Sequence, residues 1–186
     1  MFISFVNRAG NVAACIFLLA AVGCASGPRV SSGTLDFNLR GLSGADYLAS
    51  DKEFSGKVLL VTLWGTWCPP CVSEIPSLNS IQARFGDDEF AVVAIAFERD
   101  LDATVRQRKL SEFVDEHQIG YLVLDGGATE SFSSALPMVE GVSGFPVEIL
   151  IDRNGRVVDC RNGYGYSEEW VRELNDRITG LLNADR

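Results

Sequence analysis

The chain has 186 residues, 47% of them hydrophobic and 22% charged, and a net charge of −9 at neutral pH. This composition supplies apolar material for one globular core and excludes a disordered or low-complexity chain, while the acidic balance argues against a nucleic-acid partner. Its five cysteines are too few and too unevenly spaced for a disulfide-stapled scaffold.

At the N-terminus, Arg8 precedes an apolar run from Val12 to Val22 that ends in Gly23-Cys24. The run is short of the roughly 20 residues a membrane span needs, so it reads as an export signal over residues 1–23. An uncleaved anchor reaching back to Phe2 is the alternative, at the cost of burying Asn7, Arg8 and Asn11. Ala21-Val22-Gly23-Cys24 resembles a bacterial lipobox, which implies cleavage before Cys24 and lipid on its thiol. Ala25 follows where inner-membrane retention is associated with aspartate, so the outer membrane is favoured. Residues 24–34, rich in Ser, Gly and Pro, read as a flexible tether to a folded domain over residues 35–186.

Within that domain, Leu35 to Leu39 alternates like a short edge strand. Val58 to Trp64 is a continuous apolar run, the pattern of a strand covered on both faces. A helix follows from Pro69, with Val72, Ile75, Leu78, Ile81 and Phe85 at three- and four-residue intervals and Gly86 as its stop. Phe90 to Phe97 predicts a second buried strand. An amphipathic helix is expected from about Asp102 to His117, burying Val105, Leu110, Phe113 and Val114, and then a third strand at Tyr121 to Leu124. Asp152-Arg153-Asn154-Gly155 lies between Val147–Ile151 and Arg156–Asp159, and an Asn-Gly pair so placed signals a hairpin. From Ser167 onward, Trp170, Leu174, Ile178, Leu181 and Leu182 share a helical face suited to covering a sheet. Central strands alternating with helices define an α/β layer.

Trp67-Cys68-Pro69-Pro70-Cys71 falls where the apolar strand ends and the helix begins. Unpaired N–H groups and the positive end of the helix dipole favour an anion there, so Cys68 is expected to have a stabilised thiolate. Cys71, one turn on, can reach back to resolve a mixed disulfide. Pro69 suits the first helical turn because its missing N–H would have had no partner, and Pro70 stiffens the ring. Two cysteines and the sole histidine, His117, do not make a four-ligand zinc site, so no metal and no cofactor are expected. A structural disulfide remains the plain alternative. Cys160, in a strand-like segment, reads as an inert thiol.

At these residues the chain resembles the thioredoxin superfamily, and within it the exported TlpA/ResA-type disulfide reductases. The matching stretches are Gly56 to Val61, Trp64-Gly65-Thr66-Trp67-Cys68-Pro69-Pro70-Cys71, Glu74-Ile75-Pro76, Gly144-Phe145-Pro146 and Ile151 to Val158. The resemblance implies a thioredoxin-like fold, a central mixed β-sheet flanked by helices, with a short N-terminal β extension. It also implies a redox-active Cys68–Cys71 disulfide in which Cys68 attacks and Cys71 resolves, a cis-proline at Pro146, and a substrate-facing surface of Trp67, Pro69, Pro70, Phe145 and Pro146. Phe145 is bulkier than the family's usual residue and is expected to narrow substrate access. A helix bent at Pro76 is implied as well. Glu74 occupies the position of a family glutamate that can shuttle a proton for Cys71, with a solvated surface residue as the plain alternative. Where thioredoxin has a buried aspartate, this chain has Thr62, which transfers that role toward Glu74 or water. Trp64 is either a core aromatic or part of the site.

The expected function is reduction of disulfides in exported, periplasmic proteins at the cell envelope. By resemblance, a membrane thiol-transfer protein supplies the electrons. Net oxidase or isomerase activity uses the same motif. A lipid-anchored binding or chaperone-like module without catalysis is the alternative of a different class.

Overall fold

A computed structural model describes residues 27–163 and 167–184. Residues 1–23, read as an export signal, and Cys24, read as a lipidation site, lie outside the described residues.

Val58–Trp64 forms a strand, β4, that is buried along its whole length, as its unbroken apolar run requires. It sits in a seven-stranded mixed sheet of order β3-β2-β6-β5-β4-β8-β9. The other strands are β2 (Asn38–Gly41), β3 (Asp46–Leu48), β5 (Phe90–Glu98), β6 (Leu122–Ala128), β8 (Val147–Ile151) and β9 (Val157–Asn162). Strands β4, β5 and β6 run parallel, whereas β8, β9, β2 and β3 are antiparallel to their neighbours. Helices α1 (Pro69–Phe85) and α2 (Ala103–Glu116) connect the parallel strands. Two successive crossovers of one hand in one direction place both helices on the same face of the sheet.

The alternation of side chains along β4 divides the core. Val58 and Leu60 pack with Leu78 and Ile81 of α1 and with Leu174, Ile178 and Leu182 of the C-terminal helix α4 (Glu168–Asn183). Leu59, Val61 and Leu63 face the other way, against Leu35, Phe37, Phe54 and Leu136. Leu136 follows a short 3-10 turn and the four-residue helix α3 (Phe132–Ala135). Helix α4 begins where Ser167 accepts a hydrogen bond from the N–H of Trp170. Ile178 is fully buried under it. Ile178→Ala is expected to cost about 2–5 kcal/mol, read as a lowered urea midpoint.

Three expectations shift. The edge strand expected over Leu35 to Leu39 spans Asn38–Gly41, although Leu35 and Phe37 are buried in the core. Arg29–Val30, within the stretch read as tether, form strand β1 paired with β7 (Val139–Glu140), and Arg29 bridges Glu140. On α2 the buried residues are Leu110 and Arg106, with Val105 only half-buried. Arg106 reaches Asp125 at 3.0 Å and caps the carbonyls of Asp100 and Leu101, so a paired guanidinium occupies the place expected for valine.

Candidate active site

β4 ends at Trp64 and α1 begins at Pro69, leaving Cys68 as the N-cap residue with extended backbone. Its Sγ accepts from the N–H of Cys71 at 3.4 Å. Cys68 and Cys71 form a disulfide, and both are almost fully buried, at 4% and 3% exposure. Pro69 and Pro70 occupy the first two helical positions, where no intrahelical donor is needed. The helix continues through Pro76 as one element.

The Phe145–Pro146 peptide bond is cis, and the Phe145 carbonyl lies 3.5 Å from Cys68 Sγ. The Phe145 ring packs against Trp67, Phe97 and Phe132, with centroids 6.0, 5.8 and 5.8 Å away. Trp67 is held from behind, its indole N–H donating to the Phe97 carbonyl at 2.9 Å, and the Arg99 guanidinium stands 4.4 Å from its ring centroid. Trp64 is buried and packs on Phe113, which makes it a core aromatic. His117, the C-cap residue of α2, packs on Phe113 with ring centroids 4.0 Å apart.

The turn before Cys68 rests on a residue that sequence reasoning missed. Glu98, at the end of β5, has 0% exposure. Its two oxygens accept from the Thr66 N–H at 2.7 Å and the Thr66 hydroxyl at 2.8 Å, and Lys109 Nζ of α2 approaches at 2.8 Å. The hydrogen bond to Glu98 raises the Lys109 pKa against its partial desolvation. A terminal glutamate on an apolar strand was the one available signal, but its partner lies on a later helix. Lys109→Met strands a buried carboxylate. It is expected to cost about 1–3 kcal/mol, less than a fully buried pair because Lys109 is partly exposed. Urea unfolding reads the loss, and adding Glu98→Gln should recover part of it.

Glu74 is buried, at 1% exposure, which removes the surface reading. Its carboxyl reaches toward Pro146 and toward Glu148 of β8, the three converging on Gly163. Glu148 is paired in register with Thr62 of β4 and is also buried. Burial, the nearby Glu74 and Asp159 raise the Glu148 pKa to about 8, against a lowering influence of Arg161 and the Trp170 indole. Cys160 takes part in no disulfide and is paired with Ile149 in the ladder. Burial, with Asp159 nearby, pushes its thiol up to about 11, which suppresses its thiolate at neutral pH.

A disulfide at a helix N-terminus, beside a cis-proline and on a mixed sheet flanked by helices, defines a thioredoxin-fold protein with a C-x-x-C centre. The comparisons narrow the class. Residues 30–176 match the Redoxin family model, and the chain belongs to that family, as a TlpA/ResA-type member of the thioredoxin superfamily. It is 27% identical to the thioredoxin-like protein YneN of Bacillus subtilis over 75% of each chain. It is 26% identical to the thiol-disulfide oxidoreductase ResA of Halalkalibacterium halodurans, covering 81% of this chain and 77% of that one. A putative thiol:disulfide interchange protein DsbE from Chlorobium tepidum superposes with a TM-score of 0.63 at 27% identity, over 80% of this chain and 94% of the other.

Proposed function

We propose that this thiol–disulfide oxidoreductase reduces disulfides of exported proteins, with Cys68 as the attacking thiol and Cys71 as the resolving one. The observation that carries the reading is the placement of Cys68 Sγ at the N-cap of α1 with Cys71 bonded to it one turn on. A Cys68 thiolate attacks one sulfur of the substrate disulfide, and the other substrate sulfur leaves as a thiolate that takes up a proton. Cys71 then attacks Cys68, releases the second substrate thiol, and leaves the enzyme oxidised by two electrons. The Phe145 carbonyl beside Cys68 gives an extended substrate segment a main-chain partner. Trp67, Pro69, Pro70 and Pro146 complete the surface around it, and Glu74 takes the proton of Cys71.

The apolar N-terminus supports export and Cys24 supports a lipid anchor, facing the periplasm and favouring the outer membrane. Among the described residues no helix is long and apolar enough to cross a membrane. An oxidising compartment drains the dithiol, so reduction there requires a continuing donor, a membrane thiol-transfer protein. The test is trapping by the Cys71→Ser chain expressed in an envelope, with captured proteins identified by diagonal electrophoresis. Mixed disulfides that depend on Cys68 are the expected result. Their absence would favour a binding module, and a measured potential near that of strong disulfide donors would turn the direction toward oxidation.

A further inference from the structure

Glu148 belongs to no motif, yet it occupies the interior beside the redox centre. On β8 it shares a sheet face with Leu150, the face covered by α1 and α4, and its cross-strand neighbour is Thr62. It is 2% exposed, and neither carboxyl oxygen accepts a hydrogen bond of ordinary geometry. The groups around it are few. Glu74 comes from α1, Arg161 and Asp159 from β9, and the Trp170 indole from α4, while Tyr121 lies within the field of Glu74.

The carboxyls of Glu74 and Glu148 both border the space at Gly163. A Cβ built on Gly163 would lie 2.9 Å from Glu74 Oε1 and 3.3 Å from Glu148 Cδ, so a side chain at 163 would occupy the space in which they meet. The Gly163 N–H is fixed to the Pro146 carbonyl at 2.9 Å, which ties that meeting point to the proline beside Cys68. The cation facing Glu148 is weakly committed to it. Arg161 Nε stands 3.7 Å from Glu148, 3.6 Å from Asp159, and its Nη1 is 3.1 Å from Glu173. A guanidinium divided among Glu148, Asp159 and Glu173 does not offset the buried charge of an ionised Glu148.

We propose that Glu74 and Glu148 hold one proton between them at neutral pH, and that this carboxyl couple is the acceptor through which Cys71 loses its proton when it attacks Cys68. The proposal rests on the oxidoreductase reading and adds Glu148 to it as a positioning residue acting through Glu74. In the step, the Cys71 S–H bond breaks and its proton passes to the singly protonated couple. The new Cys68–Cys71 bond takes the place of the bond from Cys68 to substrate, and the substrate sulfur leaves with the electron pair. The doubly protonated couple then returns a proton to the leaving thiolate or to water. Shared protons of this kind titrate as a property of the pair.

Ellman's reagent separates the two steps in the full, reduced chain. Its adduct forms at Cys68, and attack by Cys71 releases the coloured thiolate in a first-order phase. The wild-type rate of that phase is expected to change slope near pH 8, where the couple gives up its shared proton. Glu148→Gln should move the break down by at least one pH unit or remove it, and Glu74→Gln should slow the phase at least tenfold at pH 7. A second reading needs no variant. Infrared difference titration of the wild-type protein should show a buried protonated carboxyl at pH 6.5 that ionises with a midpoint near 8. A folded Glu148→Gln chain with the wild-type profile, or a wild-type spectrum without that carboxyl, overturns the couple. Failure of the Cys71→Ser chain to form the adduct would instead overturn the oxidoreductase reading.

Discussion

Cys68→Ser is expected to lower kcat/KM for reduction of a model protein disulfide by at least about 10³-fold, the scale on which removal of an essential nucleophile acts. Cys71→Ser should stop turnover as completely while leaving the first attack measurable as a stoichiometric adduct. The difference follows from position. Cys68 occupies the N-cap, where its sulfur already accepts the Cys71 N–H and the free N–H groups of the first turn lie close. Cys71 is inside the helix, at 3% exposure, and its sulfur acts on Cys68. Stopped-flow measurement of adduct formation, beside a steady-state assay, separates the two effects. Equal loss of the first attack in both variants would contradict the assignment of roles.

The parts of this molecule that sequence made legible are those written in adjacent residues. The buried run Val58–Trp64, the helix starts near Cys68, Asp102 and Ser167, the stop at Gly86 and the Asn154-Gly155 turn each carry their cause locally. Strands β1, β3 and β7, of two or three residues, bury too little for any periodicity to show. The burial of Arg106 is not legible in sequence because a charged residue on an amphipathic helix is ordinarily outside, and its partner Asp125 arrives only with β6. The support of the active-site turn has the same character, since Thr66 lies in the turn before α1, Glu98 on β5 and Lys109 on α2. Glu148 is the extreme case. Inside Val-Glu-Ile-Leu-Ile an alternating strand would place it on a wet face, but α1 and α4 cover that face as well.

That burial gives the wild-type chain an expected loss of stability on the alkaline side. Glu148 has an ordinary pKa of 4.5 and a folded value near 8, raised first by desolvation and then by Glu74. Between those values the folded state keeps a proton that the unfolded chain releases, so each step upward in pH favours unfolding. The contribution is fully present below the ordinary pKa and is lost as pH rises through about 8. Asp152 acts with the opposite sign. Desolvation works against its charge, but the backbone N–H of Arg156, the Arg156 side chain and the N–H of Asn154 outweigh it and lower its pKa. Its contribution is present above the ordinary carboxylate range and disappears as pH falls into and through that range. Cys160 enters only above the usual thiol pKa. Over the window from pH 5.5 to 8.5 Glu148 is therefore the dominant of these three groups, and the wild-type chain should lose about 2–4 kcal/mol across it. Glu148→Gln, with no proton to release, should show a markedly flatter curve and overtake the wild type at the upper end. Urea midpoints measured across that range for both chains are the check, and parallel curves would mean that Glu148 ionises freely in the folded protein.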